Sequence, residues 1–231
     1  MTHLVIINLK KRSDRWESLS QHLKDMKSQL GFIDSIHRLE AIEFDQTTGR
    51  SPIKSSDPPS KGCMLSHAKA IQWAKDQFWD SVMVVEDDVR FQSDVASTWN
   101  AVQAELGSTP WSVLFGGSVR IRPRDVKKHS AHVLSLRTPD GIFTGTHCMV
   151  YHSRAYDDLL RIIETEVSDP NPFHLDLLIS SKCSPIMLTV PYLALFKETD
   201  TSDVRVGRDT RVDYQNITEA QKMALMLIGQ K

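Results

Sequence analysis

The amino-acid sequence predicts an α/β protein built on a mostly parallel sheet. Short apolar runs alternate with stretches of helical periodicity through the first half of the chain. The runs themselves, such as Leu4-Val5-Ile6-Ile7 and Val82-Met83-Val84-Val85, are continuously apolar, as buried strands are. Hydrophobic residues make up 40% of the 231 and charged residues 25%, enough apolar material to fill a core around such a sheet.

Leu4 to Leu9 is the first predicted strand. Asp14 and Glu17 form a capping pair for a helix in which Trp16, Leu19, Leu23, Met26 and Leu30 recur at helical spacing, and Gly31 ends it. Residues 36–42 read as a second strand. The polar stretch 45–60, holding Gly49, Pro52, Pro58 and Pro59, reads as a long surface loop. A helix from about Lys61 to Phe78 carries Met64, Ala68, Ile71, Ala74 and Phe78 along one face, and Ser81 to Val85 is the next strand. Ser93 caps a helix striped by Val95, Trp99, Val102 and Leu106, and the strand Trp111 to Phe115 is stopped by Gly116-Gly117. A loop from Arg120 to Lys128 precedes strands near 132–136 and 146–151. Ser153 caps a helix carrying Leu159, Leu160, Ile162 and Ile163. A short helix near 174–180 and a strand near 186–193 follow. Residues 198–215 read as a second polar loop, and Thr218 with Gln221 as the capping box of a last helix holding Met223, Leu227 and Ile228. No shift of composition marks a boundary, so residues 1–231 are expected to form a single domain with mobile loops near 45–61 and 198–215.

The 28 Lys+Arg against 29 Asp+Glu leave a net charge of −1, which offers no counter-field to phosphate, so no nucleic-acid partner is expected. No apolar run approaches the roughly 20 residues of a membrane span, and Leu4–Ile7 is too short for the core of a signal peptide. The expectation is a chain without a transmembrane segment that is cytoplasmic or peripheral to a membrane. Cys63, Cys148 and Cys183 lie far apart without CxxC spacing, which predicts reduced thiols acting as small buried hydrophobes. Neither a Walker A motif nor GxGxxG occurs, which disfavours a P-loop enzyme and a dinucleotide-binding oxidoreductase.

The most informative stretch is Val82 to Val89, where a buried strand runs directly into Glu86, Asp87 and Asp88. Period-2 alternation places Glu86 and Asp88 on one side and Asp87 on the other. Carboxylates so crowded repel each other and resist desolvation; a divalent cation or a hydrogen-bonding ligand removes the conflict. Open α/β sheets bind ligands outside the carboxyl ends of their strands, where these acids fall. The same run also fits an exposed loop start, where acids gather for solubility and helix capping.

Several further segments share one pattern. Ile6-Ile7-Asn8-Leu9-Lys10-Lys11-Arg12-Ser13-Asp14-Arg15 resembles the opening motif of glycosyltransferase family 25, which covers lipooligosaccharide and collagen galactosyltransferases. Gly62-Cys63-Met64-Leu65-Ser66-His67 resembles its Gly-Cys-x-x-Ser-His helix start, and Val85-Glu86-Asp87-Asp88 its version of the Asp-X-Asp motif. Trp111 to Gly116, Gly145-Thr146-His147, Leu175-Asp176 and Ser202-Asp203 continue the match in order, so the resemblance runs from Ile6 to about Asp203.

This resemblance implies a GT-A-like nucleotide-sugar-binding fold, with a mixed, mostly parallel central sheet flanked by helices. It implies inverting transfer of a sugar, galactose first, from a UDP-sugar (UDP-galactose or UDP-glucose). The acceptor would be a hydroxyl of a glycan, a lipooligosaccharide or a protein. Asp88, with Glu86, would hold Mn²⁺ or Mg²⁺ against the diphosphate, and Asp87 would sit near the ribose or tune the cluster. Asn8, Arg12 and Arg15 fall just past the first strand, where a nucleotide would cross the sheet edge, and Arg15 could fork onto the diphosphate. Ser66 and His67, near a helix start, could meet phosphate. Inverting transfer needs one general base, for which Asp176 is the first choice and Asp203 the second, Asp203 otherwise being a donor contact. His147 would touch sugar or metal, and Arg205, Arg208 and Arg211 could close on the diphosphate as a lid. The alternatives are a catalytically inactive nucleotide-sugar-binding module and a metal-dependent phosphodiesterase.

Overall fold

Continuously apolar strands demand helices on both faces, and the chain supplies them. The computed structural model describes residues 2–43, 58–137, 141–169, 172–197 and 211–229. The expected loops near 45–61 and 198–215 fall largely outside the described residues, and Asp203, Arg205 and Arg208 fall wholly outside them.

An 8-stranded sheet forms the centre. β1 (His3–Asn8) lies between β2 (Ser35–Glu40) and β3 (Ser81–Glu86), parallel to both. β8 (Cys148–His152) inserts antiparallel between β3 and β5 (Val113–Phe115). β9 (Ile186–Thr189) runs parallel to β5, and β7 (Val133–Leu136) and β6 (Val126–Lys128) continue antiparallel to the far edge. Thus β1, β2, β3, β5, β6 and β9 point one way and β7 and β8 the other, the mixed, mostly parallel sheet the sequence implies.

Alternation along the strands sorts the core into two layers. Leu4 and Ile6 of β1, with Met83 and Val85 of β3, pack under α1 (Ser13–Asp25) through Leu19 and α3 (Val95–Leu106) through Val95, Trp99, Val102 and Leu106. Val5, Ile7, Val82 and Val84 face the other way. They pack with α2 (Pro58–Asp76), α4 (Tyr156–Val167), α5 (Leu175–Lys182) and α6 (Arg211–Ile228). Among the described residues no helix is long and apolar enough to cross a membrane.

Several local expectations are corrected. Asp14 does not cap α1: Arg12 occupies the cap position, and the Asp14 carboxylate is held by the Arg12 guanidinium instead. Asp94, rather than Ser93, precedes α3, and a 3₁₀ turn over Ser153–Ala155 precedes α4. The segment 120–128 contains β6. The predicted strand 186–193 ends at Thr189, and the chain crosses to a second, 2-stranded sheet as β10 (Ala194–Phe196), antiparallel to β4 (Val89–Phe91). The Thr218–Gln221 box is not a cap. The helix starts at Arg211, well upstream of Thr218, and buries Ile217, Ala220, Ala224 and Ile228 as one stripe. Thr218 Oγ1 donates back to the Tyr214 carbonyl, and Gln221 Oε1 accepts from the Tyr192 backbone N–H.

Candidate functional site

Parallel pairing of β1 with β3, with Ile7 opposite Glu86, delivers Asn8 and Asp87 to the same sheet edge. There the Asn8 amide donates to Asp87 Oδ2 at 2.6 Å. Arg15, on the first turn of a helix that begins just past β1, donates Nη1 to Asp87 Oδ1 at 2.8 Å and lies 3.5 Å from Asp88 Oδ2. Arg15, Asp87 and Asp88 are all buried. Arg38, near the end of β2, donates Nε to Asn8 Oδ1 at 3.0 Å while its guanidinium covers the Trp16 ring at 4.5 Å. Burial pushes the Asp87 carboxyl up; Arg15 and Asn8 pull it back without cancelling the effect.

Glu86 departs to the opposite side from Asp87, as alternation predicts. Thr146 Oγ1 donates to its Oε1 at 2.5 Å, and His67 Nε2 stands 4.0 Å from that same oxygen. Burial works against the Glu86 carboxylate, but His67, Thr146 and His147 outweigh it and hold the group below its ordinary value. Asp88 breaks the expected alternation. β3 ends at Glu86, the chain turns, and Asp88 shares Arg15 with Asp87 instead of standing beside Glu86.

The other expected residues reach this end by different routes. Ser66 joins α2 to the segment after β2, donating to the Gly62 carbonyl at 2.7 Å and accepting from the Ile42 N–H at 2.8 Å. His67 is fully buried, with Nδ1 at 2.8 Å from the Tyr151 hydroxyl. Arg12 forks onto Asp14 at 3.0 Å through both Nε and Nη2, which takes the Asp14 carboxyl down to about 2. His147 is fully buried beside Phe196, ring centres 4.5 Å apart. Side chains are excluded around its ring: a Cβ on Gly117 would lie 2.8 Å from Nε2, and one on Gly145, at φ +100, 3.1 Å from Nδ1. Burial takes the His147 pKa down to about 4 against an opposing pull from Glu86, so the ring is neutral at neutral pH. Asp176, at the start of α5, accepts the Gly145 N–H at 2.7 Å through Oδ2 and the Leu177 N–H at 2.9 Å through Oδ1. Gly145-Thr146-His147 therefore bridges Asp176 to Glu86.

The sequence assigned no role to Arg38, Thr146 or Tyr151. Each acts through a partner distant in sequence, and only Arg38, as a cation on a strand beside Asn8, carried a readable signal. The three cysteines are free as predicted, but only Cys148 is fully buried. Cys63 is half-buried, with Sγ 3.7 Å from Thr146 Oγ1. Burial and the Glu86 carboxylate push its thiol well above the ordinary value.

The chain is similar in sequence to proteins already known. The profile described as Glycosyltransferase family 25 (LPS biosynthesis protein) matches residues 1–156. Procollagen galactosyltransferase 2 from Homo sapiens is 25% identical over 152 residues, covering 59% of this chain and 24% of that protein. Its Mus musculus counterpart is 23% identical over 149 residues, with the same coverage. The chain thus spans about a quarter of the length of these relatives. Among solved structures, S. aureus TarS in complex with UDP-GlcNAc shows a TM-score of 0.46 at 9% identity, over 98% of this chain and 70% of that one. The galactosyltransferase LgtC, in complex with donor and acceptor sugar analogues, shows a TM-score of 0.44 at 9% identity, over 81% of this chain and 73% of that one.

The buried neutral His147 sets a pH dependence. Its folded pKa of about 4 lies below the unfolded value of 6.5, so the unfolded chain binds the proton first as pH falls. Its contribution is complete above pH 6.5 and is lost progressively down to pH 4, at up to about 1.4 kcal/mol per pH unit. Urea unfolding across that window should show a slope shallower by about one proton in His147→Gln than in the wild type. Equal slopes would mean that the folded protein protonates this ring as readily as the unfolded chain.

Proposed function

The chain belongs to glycosyltransferase family 25, and from that premise we propose that it transfers galactose from a UDP-sugar to an acceptor hydroxyl with inversion. The donor is UDP-galactose, with UDP-glucose the nearest variant, and the acceptor hydroxyl belongs to a glycan, a lipooligosaccharide or a protein. The choice of galactose draws on the relatives, which are named procollagen galactosyltransferases. The observation that carries the reading is the acid run leaving β3 at the sheet edge, with Asp87 held by Arg15 and Asn8. Such an edge of a GT-A-like sheet is where a nucleotide would lie.

The donor set fits a hard divalent cation, Mn²⁺ or Mg²⁺. Asp88 offers carboxylate oxygens at the strand end, while Glu86 faces the other side of the strand and the Asp87 charge is answered by Arg15. Bound there, the cation would neutralise the charge that develops on the leaving diphosphate. Arg15 serves as a positioning residue in this reading, since its Nη1 is engaged by both Asp87 and Asp88. Asn8 fixes Asp87 from the other side, and the buried His67 and His147 shape the floor around Glu86.

Asp176 acts as the general base. The backbone N–H groups of Gly145 and Leu177 orient its carboxylate, and it stands on the far side of Gly145-Thr146-His147 from the acid run. The acceptor hydroxyl attacks the anomeric carbon, its proton passes to Asp176, and the bond from that carbon to the diphosphate breaks, releasing UDP.

One assay following both sugar transfer and free UDP tests the metal end. Asp88→Asn should abolish transfer with the fold intact, and chelation should do the same to the wild type, which Mn²⁺ then restores. Full activity in excess EDTA would sink the metal assignment. Donor binding without turnover would leave a binding module, and release of nucleotide without transfer a phosphodiesterase. For the base, Asp176→Asn keeps an oxygen to accept the Gly145 N–H but takes no proton. Its kcat should fall by roughly 10²–10⁴-fold, the acid limb of the profile should vanish, and donor Kd should hold. A near-normal kcat would remove Asp176 from the chemistry.

A further inference from the structure

Cys63 and His67 stand four residues apart on α2, so their side chains stack on one helix face. That face meets the end of β3 at Glu86, and one ligand atom from each of Cys63, His67 and Glu86 lies within 4.8 Å of the others. The Tyr151 hydroxyl holds His67 Nδ1 at 2.8 Å and so leaves Nε2 directed toward Glu86 Oε1 at 4.0 Å. That separation is too long for a hydrogen bond. Nε2 of this fully buried residue has no hydrogen-bond partner among the described residues.

We infer that Cys63, His67 and Glu86 form a site for a thiophilic divalent cation of the zinc class, distinct from the Asp88 end of the acid run. Zinc bonds run about 2.3 Å to sulfur and about 2.0–2.2 Å to nitrogen or oxygen, so two ligands of one tetrahedral ion stand about 3.3–3.7 Å apart. The 4.0 Å between His67 and Glu86 exceeds that separation by a few tenths of an ångström and the 4.8 Å limit of the group by about 1 Å, shifts that side-chain rotations supply. A thiolate with an imidazole selects zinc over the oxygen-seeking Mn²⁺ and Mg²⁺. Tyr151 supplies the outer hydrogen bond that a metal-binding histidine uses to fix its ring. Thr146 Oγ1 bonds Glu86 and approaches Cys63 Sγ at 3.7 Å, bracing both ligands. Cys63 and Glu86 are only part-buried, which leaves an entry path and room for water as a fourth ligand.

Binding can be read without activity. Co²⁺ titrated into the full chain should bind and produce a thiolate-to-cobalt charge-transfer band in the near ultraviolet, and Zn²⁺ should displace it. Cys63→Ser should lose the band, Cys183→Ser should keep it, and Tyr151→Phe should keep it with affinity lowered about 10–100-fold. In the wild type, Zn²⁺ but not Mn²⁺ should protect Cys63 from alkylation, read by peptide mapping. That measurement stands whether or not Cys63→Ser folds. A wild type without the band, a band that survives in folded Cys63→Ser, or alkylation of Cys63 that Zn²⁺ does not slow would each overturn the site. None of these outcomes depends on sugar transfer.

Discussion

The buried pair of Arg15 with Asp87 is the contact on which the site depends. Three carboxylates in a row at the end of a buried strand cannot all keep their charge in a desolvated place without an answering cation. Arg15 is that cation from within the chain: it takes Asp87 at 2.8 Å and reaches Asp88 at 3.5 Å. Asn8 closes the other side of Asp87, and Arg38 in turn holds Asn8, so three neighbouring strands and α1 converge on one carboxylate. Removing either charged partner would strand the other, and the acid run would lose the contact that fixes its geometry.

On the opposite side of the strand, Glu86 lies in a separate environment of Thr146, His67 and Cys63. The two sides of one short acid run thus have different chemistry: a guanidinium and an amide on one, an imidazole and a thiol on the other. The segment Gly145-Thr146-His147 links that second environment to Asp176 through a backbone hydrogen bond from Gly145, which ties the start of α5 to the strand end.

Much of this was legible in the sequence. Runs such as Val82–Val85 are apolar on both faces only where helices cover both faces, and the two-layer core follows from that. The acids after β3 marked the candidate edge. Of the three-residue strands, β5 was legible in the apolar run Trp111–Phe115 that ends at Gly116-Gly117, whereas β4, β6 and β10 have no such bounded run and no period to read. Nor was the partner of each acid: Arg15 and Asp87 are 72 residues apart, and only the parallel register of β1 on β3 brings them together. The same holds for Asp88, whose side was misassigned because alternation applies to a strand and the strand stops one turn too early.

A double-mutant cycle on Arg15 and Asp87, followed by urea unfolding, tests the dependence directly. Arg15→Met and Asp87→Asn should each destabilise the protein, Arg15→Met by about 3–5 kcal/mol because it leaves a buried carboxylate unanswered. The double variant should cost less than the two summed, with a coupling within the range of about 0.5–3 kcal/mol found for residues in contact. Strictly additive losses, or an Arg15→Met protein as stable as the wild type, would contradict the account.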